Sequence, residues 1–254
     1  GFTFGRAKKS NTSSSGESNL KSFVKPELED GAAIVDDGAG AFATYLDFDS
    51  EAKSESEYIN KYREMALHPE VENAIEDIVN ESVVYHETLK NVELKLDMVE
   101  LSDNIKKKVH EEYDHVYKIL NFEKKGFEIF RRWYVDGKLY YHMMVDSKNT
   151  KKGIQELRYV DPTKIRKIVE VKKEKGEGNR MDGGVEVIKA TDEYFMYREK
   201  MESVGLADKG VRIAPEAICY VTSGLFDASQ KRVISYLHKA IKPLNQLRMI
   251  EDAV

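Results

Sequence analysis

FEKKGFEIFRRWYVDGKLYYHMMVD, residues 122–146, changes its pattern midway. Phe122–Tyr134 sets aromatic side chains among charged ones and predicts a helix. Asp136-Gly137 is a turn signal. Leu139–Val145 is rich in aromatic and β-compatible residues and predicts a strand. A helix handing over to a strand through two turn residues is the junction on which the fold class rests.

Upstream the pattern is mainly helical. From Ser56, the residues Tyr58, Ile59, Tyr62, Met65 and Ala66 follow helical spacing. Pro69 suits the first turn of a second helix, with Glu70 and Glu72 at its positive end. Val71, Ala74, Ile75, Ile78, Val79 and Val83 form its apolar stripe. Val92–Leu96 alternates with period two and predicts a short strand. Ser102 then caps a third helix, with Ile105, Val109, Tyr113, Val116, Tyr117 and Leu120 on one face.

Downstream the pattern is strand-like. Gln155–Val160 and Ile165–Val171 flank the turn dipeptide Asp161-Pro162. Lys172–Gly184 is charged, Gly-rich and expected to be a mobile hairpin tip. Further strands are expected at Val185–Lys189, Tyr194–Tyr197, Val211–Ile213 and Ala217–Thr222. Gln230–Val254 predicts a closing helix with Val233, Tyr236, Leu237, Ala240 and Ile241 on one stripe. Pro243 is expected to kink or break it, because proline removes a hydrogen bond and clashes with the preceding turn. That segment carries a net charge of +3 and runs to its end without a Gly or Asn stop, which predicts a longer protein. Helices, then strands, then a helix make an α+β fold with mainly antiparallel strands.

Residues 1–57 have another character. Asn11–Ser18 is Ser-rich and Gly31–Ala43 is Gly/Ala-rich, so this arm buries too little apolar area to offset its ordering entropy. Two readings stay open: a solvated tail, or an extended segment that orders on a partner. Its charge steps from +4 over residues 1–26 to -9 over residues 27–57. The chain total is -5, which leaves residues 58–254 neutral. Three regions result: an arm over 1–57, an α+β body over 58–229 and a helix over 230–254. A neutral body lacks the clustered Lys and Arg that give tight nucleic-acid binding.

Several functional classes find no support. No apolar run is long enough to span a bilayer, and Gly1–Arg6 lacks the apolar core of a secretory signal. Cys219 is the single cysteine, which excludes an intrachain disulfide and suits a reducing compartment. It sits in an apolar strand and is expected to be a buried structural thiol. There is no phosphate-binding Gly loop, no nucleophile elbow and no metal-ligand spacing among the six histidines. Asp136, Asp146 and Asp161 stand beside turn formers, so turn chemistry is their expected role. Lys124-Lys125 and Arg131-Arg132 are expected in ion pairs within or between subunits. The residues therefore predict no catalytic group, no metal and no cofactor.

Four blocks carry a family resemblance: Asn73–Tyr85 (NAIEDIVNESVVY), Phe130–Asp146 (FRRWYVDGKLYYHMMVD), Gly153–Pro162 (GIQELRYVDP) and Ile234–Val254 (ISYLHKAIKPLNQLRMIEDAV). In order and spacing they resemble the portal vertex proteins of contractile-tailed bacteriophages. The resemblance covers Tyr58–Val254 well and the arm loosely. It implies a structural subunit of a dodecameric ring at one capsid vertex, not an enzyme. Such a ring provides the channel for packaging and ejecting double-stranded DNA and the head-tail junction. The chain would supply most of the wing, its last helix leading into the stem. Implied partners are further copies of the chain, the major capsid protein, neck or connector proteins and, through regions beyond this chain, the terminase motor. The resemblance also allows transient membrane association during head assembly in the host cytoplasm. Arg131, Arg132, Trp133, His238 and Lys242 are expected near a subunit contact, although Trp133 as plain core is an equal reading. A non-ring virion adaptor that binds partners through the acidic arm is the alternative.

Overall fold

In a computed structural model, the chain is described at residues 28, 30–36, 54–84, 90–175, 186–199, 210–228, 232–251 and 253. The helices are α1 over 54–65, α2 (Pro69–Ser82), α3 (Asp103–Leu120), α4 (Phe122–Asp136) and α5 (Ile241–Glu251). The strands are β1 (Ala33–Asp36), β2 (Lys138–Val145), β3 (Ile154–Val160), β4 (Ile165–Lys175), β5 (Glu186–Tyr197), β6 (Val211–Ile213) and β7 (Ile218–Thr222). The fold is α+β with mainly antiparallel pairing.

The junction in residues 122–146 forms where the sequence puts it. Gly137 caps α4 at φ +72°, a left-handed conformation that glycine adopts without steric cost. Its N–H donates to the Trp133 carbonyl at 2.9 Å and its carbonyl accepts from Ser223 N–H at 2.8 Å. A side chain at Gly137 would meet the backbone of Ile234 and Ser235 at 2.9 Å, so the cap also lets those residues pack closely. Upstream, Asn121 at φ +50° separates α3 from α4.

Strands β3-β2-β7 form one antiparallel sheet and β1-β4-β5-β6 another. Tyr140 (β2), Ile165 (β4), Phe195 (β5) and Ile218 (β7) form a core drawn from both. The helices share a second core of Tyr62, Met65, Ile75, Val79, Val135 and Leu244. β1 comes from the segment read as an arm. It pairs parallel with β4, Ala33 opposite Ile168, and buries Ala32 and Ala33 on that sheet. Part of the arm is thus built into the chain's own body; its other described residues, Ser54–Glu57, open α1.

Five local expectations need correction. Val92–Leu96 is not a strand: among the described residues no strand pairs with it, and the Val92 carbonyl instead accepts from the Tyr113 hydroxyl at 2.6 Å. The strands expected at Val185–Lys189 and Tyr194–Tyr197 are one, β5, because Thr191 and Asp192 stay in register with Val171 and Glu170. β4 runs on to Lys175, into the expected hairpin tip; residues 176–184 of that tip lie outside the described residues. The closing helix begins at Ile241, not Gln230. Val233 bridges to Phe226, and Ser235 is extended, its hydroxyl capping Leu237 N–H at 3.0 Å ahead of the 3-10 turn Tyr236–Ala240. Pro243 therefore lies in the first turn of α5, where its missing N–H breaks no helical bond, and it starts a helix instead of bending one.

Candidate functional site

α1 joins the helical layer to the sheets. Glu55, Ile59 and Tyr62 recur at i, i+4 and i+7, so they share a buried face, with Arg63 beside it. At the N-terminal end Glu55 pairs with Lys138 of β2 and, at 3.2 Å, with Arg166 of β4. All three are buried, and one carboxylate ties α1 to both sheets. Burial, then the neighbouring Arg166, pushes the Lys138 ammonium down to about 7.

Two turns further on, Arg63 donates two bonds to Asp136, at 2.9 and 2.8 Å, and two to Asp161, at 3.2 and 3.1 Å. Burial raises the Asp136 pKa although Arg63 opposes it. At Asp161 burial also acts upward, but the bonds from Arg63 and Thr163 outweigh it and the carboxyl is held below its usual range. Asp161 accepts from Thr163 N–H at 2.9 Å and its hydroxyl at 2.8 Å, so the expected turn chemistry is present and an ion pair is built on it.

The residues expected at a subunit contact do not gather in one patch. Trp133 Nε1 donates to the Thr222 carbonyl at 3.1 Å, and its ring packs on Phe130 and Tyr236. Arg131 approaches Glu72 at 3.9 Å. Arg132 pairs with Glu128 and lies over the Tyr159 ring, 4.5 Å from its centroid. His238 Nδ1 is 2.7 Å from the Tyr62 hydroxyl, on a cleft of about 330 Å³ that Tyr58 and Asp227 also line. Only Lys242 projects as an exposed side chain on α5. Cys219 corrects the expected buried thiol: alternation along β7 turns it outward, and partial burial raises its pKa, which leaves it unactivated.

Among the described residues no group of three or more His, Cys, Asp or Glu side chains is placed to hold a metal. No described helix is long and apolar enough to cross a membrane. The polar clusters join elements of one chain, and their chemistry is that of structural ties.

Residues 55–254 match the family described as bacteriophage T4-like portal protein (Gp20). The chain belongs to the T4-like portal protein family. It is 37% identical over 252 residues to the portal protein of Vibrio phage KVP40, covering 92% of this chain and 47% of that protein. Against the portal protein of Salmonella phage ViI, identity is 31% over 240 residues, covering 89% and 42%. The chain spans under half the length of these curated relatives.

Sequence reasoning missed Glu55, Arg63 and Lys138. In the sequence Glu55 sits among the acids of the arm, yet it stands one and two helical turns before Ile59 and Tyr62. An acid in line with an apolar stripe is the signal that reveals a buried carboxylate.

Proposed function

We propose that the chain is most of the wing of a phage portal subunit, leading through α5 toward the stem. Copies of it form a dodecameric ring at the single portal vertex of the virion capsid, assembled in the host cytoplasm. The ring is the channel for packaging and ejecting double-stranded DNA and the seat of the head-tail junction. The subunit is structural, not enzymatic. The observation that carries this reading is the family match across 55–254, which includes every described helix and all described strands but β1.

Charge and packing agree with it. A neutral body lets DNA pass without the accumulated phosphate contacts that hold it in place. The buried ion pairs tie α1 to both sheets within one subunit. Beyond further copies, the partners are the major capsid protein, the neck or connector proteins and double-stranded DNA in transit. The terminase motor docks through parts of the relatives' length that this chain does not span. The initiating ring associates transiently with the host membrane during head assembly.

Imaging tests the reading. Phage heads assembled with the protein carrying a small electron-dense tag should show density at one vertex only. Tag spread over the shell, or confined to the distal tail, contradicts it.

A further inference from the structure

Two helices turn opposite charge outward beside apolar side chains that their own core leaves uncovered. α2 carries Glu70, Glu72, Glu76, Asp77 and Glu81 and no Lys or Arg. Of these, Glu72 has Arg131 at 3.9 Å. Only Ile75 and Val79 of α2 are buried. Ile78 is exposed, as are Leu67 before the helix and Val84 after it, at 72% and 57%.

α5 and the turn before it carry the reverse charge, Lys239, Lys242 and Arg248 against Glu251. Leu244 is the buried residue of α5, seated in the same core as Ile75 and Val79. Pro243, Leu247 and Ile250 recur at i, i+4 and i+7 and form a line bordering that of Leu244, while Lys242 and Met249, i and i+7, share a line turned away from the core. Ile250 is 64% exposed and Met249 beside it 73%. An amphipathic helix with one apolar line in its own core and another outside it has a second surface to cover.

We infer that the basic, apolar face of α5 in one subunit docks on the acidic face of α2 in a neighbouring copy. This rests on the ring proposed above and names its contact. The occupant is a second copy because the complement is on the chain itself: Lys242 in line with exposed Met249 on α5, and Glu81 one turn after exposed Ile78 on α2. Two different faces meeting head to tail make a heterologous contact, the type that closes a ring. The apolar side chains supply burial, and the unlike charges fix register and speed encounter. A phosphate backbone would repel α2 and leave Leu247, Met249 and Ile250 uncovered.

Charge reversal tests the contact. One variant carries Glu76→Lys, Asp77→Lys and Glu81→Lys; another carries Lys239→Glu, Lys242→Glu and Arg248→Glu. All six side chains are exposed, so both variants should fold, with circular dichroism as the check. Each alone places like charges at every contact, and its mass should fall from that of the ring to that of the monomer. An equimolar mixture, or one chain with all six reversals, restores attraction and should regain the ring mass, with the two variants alternating in the mixed ring. The contact is refuted if either variant assembles alone like the unaltered protein, as it will when the rest of the chain or another protein covers α5. It is also refuted if the single variants are monomers and neither the mixture nor the six-fold chain recovers, while the unaltered protein still forms rings. An unaltered protein that forms no ring removes the ring reading as well.

Discussion

Arg63 grips Asp136 through two parallel hydrogen bonds, and the same guanidinium reaches Asp161 across the β3–β4 turn. Asp136 is 4% exposed, Arg63 35%. Arg63→Ala therefore strands a buried carboxylate and should cost about 3 kcal/mol, the low end for a broken buried pair because Arg63 is partly solvated. Arg63→Lys keeps the charge but loses the fork, and should recover only part of the loss. Urea unfolding of the three proteins measures both.

Glu55 makes the deeper tie. Glu55→Gln removes the carboxylate that Lys138 and Arg166 share and leaves two buried basic side chains facing each other. The loss should be about 3–5 kcal/mol. Replacing all three by Leu or Met of similar volume should return most of that stability, since apolar packing often equals a buried ion cluster. A chain with Glu55→Gln as stable as the parent in thermal unfolding shows the tie to be unimportant.

Lys138 gives a pH signature. Its folded pKa is lowered to about 7 from 10.5. Between those values the unfolded chain holds a proton the folded chain has released, so this group's contribution to stability rises with pH across that window. Below pH 7 it adds no slope. Between pH 7 and pH 9 denaturation midpoints should rise more steeply in the parent than in Lys138→Met. Equal slopes in both proteins would mean that Lys138 is not the source.

Gly137→Ala tests the junction itself. A side chain there must hold φ near +72° and press on the Ile234 and Ser235 backbone. The left-handed conformation alone costs roughly 1–2 kcal/mol, and the contact adds to it. Calorimetry should show a clear drop in Tm; the neighbouring position Gly224→Ala, with φ +72° but open space around it, should show the conformational part only.

Trp133→Phe separates a tie within the chain from a subunit contact. It removes the bond to the Thr222 carbonyl and should lower stability by about 1 kcal/mol. Because the ring packs on Phe130 and Tyr236 of its own chain, assembly mass should not change. Loss of assembly at unchanged stability would put Trp133 at the interface.

What the sequence makes legible is what local pattern decides. Helices α2 to α4, the Gly137 cap, strands β2 and β3 and the start of β4 stand where periodicity and turn residues put them. What it hides depends on partners distant in the chain. β5 looks like two strands because Ala190-Thr191-Asp192 breaks the apolar alternation, yet pairing with β4 holds it continuous. Val92–Leu96 has strand alternation, but among the described residues no strand pairs with it. The helix expected from Gln230 yields at Val233–Ser235, where the Phe226 bridge and the Ser235 cap outweigh helical spacing. Among the site residues, Arg131, Arg132 and Trp133 are visible as unusual, but their partners Glu72, Tyr159 and Thr222 lie too far along the chain for spacing to name.

The most direct test of the ring is the mass of the purified full-length protein by native mass spectrometry. Assembly into a portal predicts one dominant closed species, an integral multiple of the subunit near twelve, that annular images match. A monodisperse monomer, or an open series without a preferred number, contradicts it and leaves an adaptor that binds through its arm.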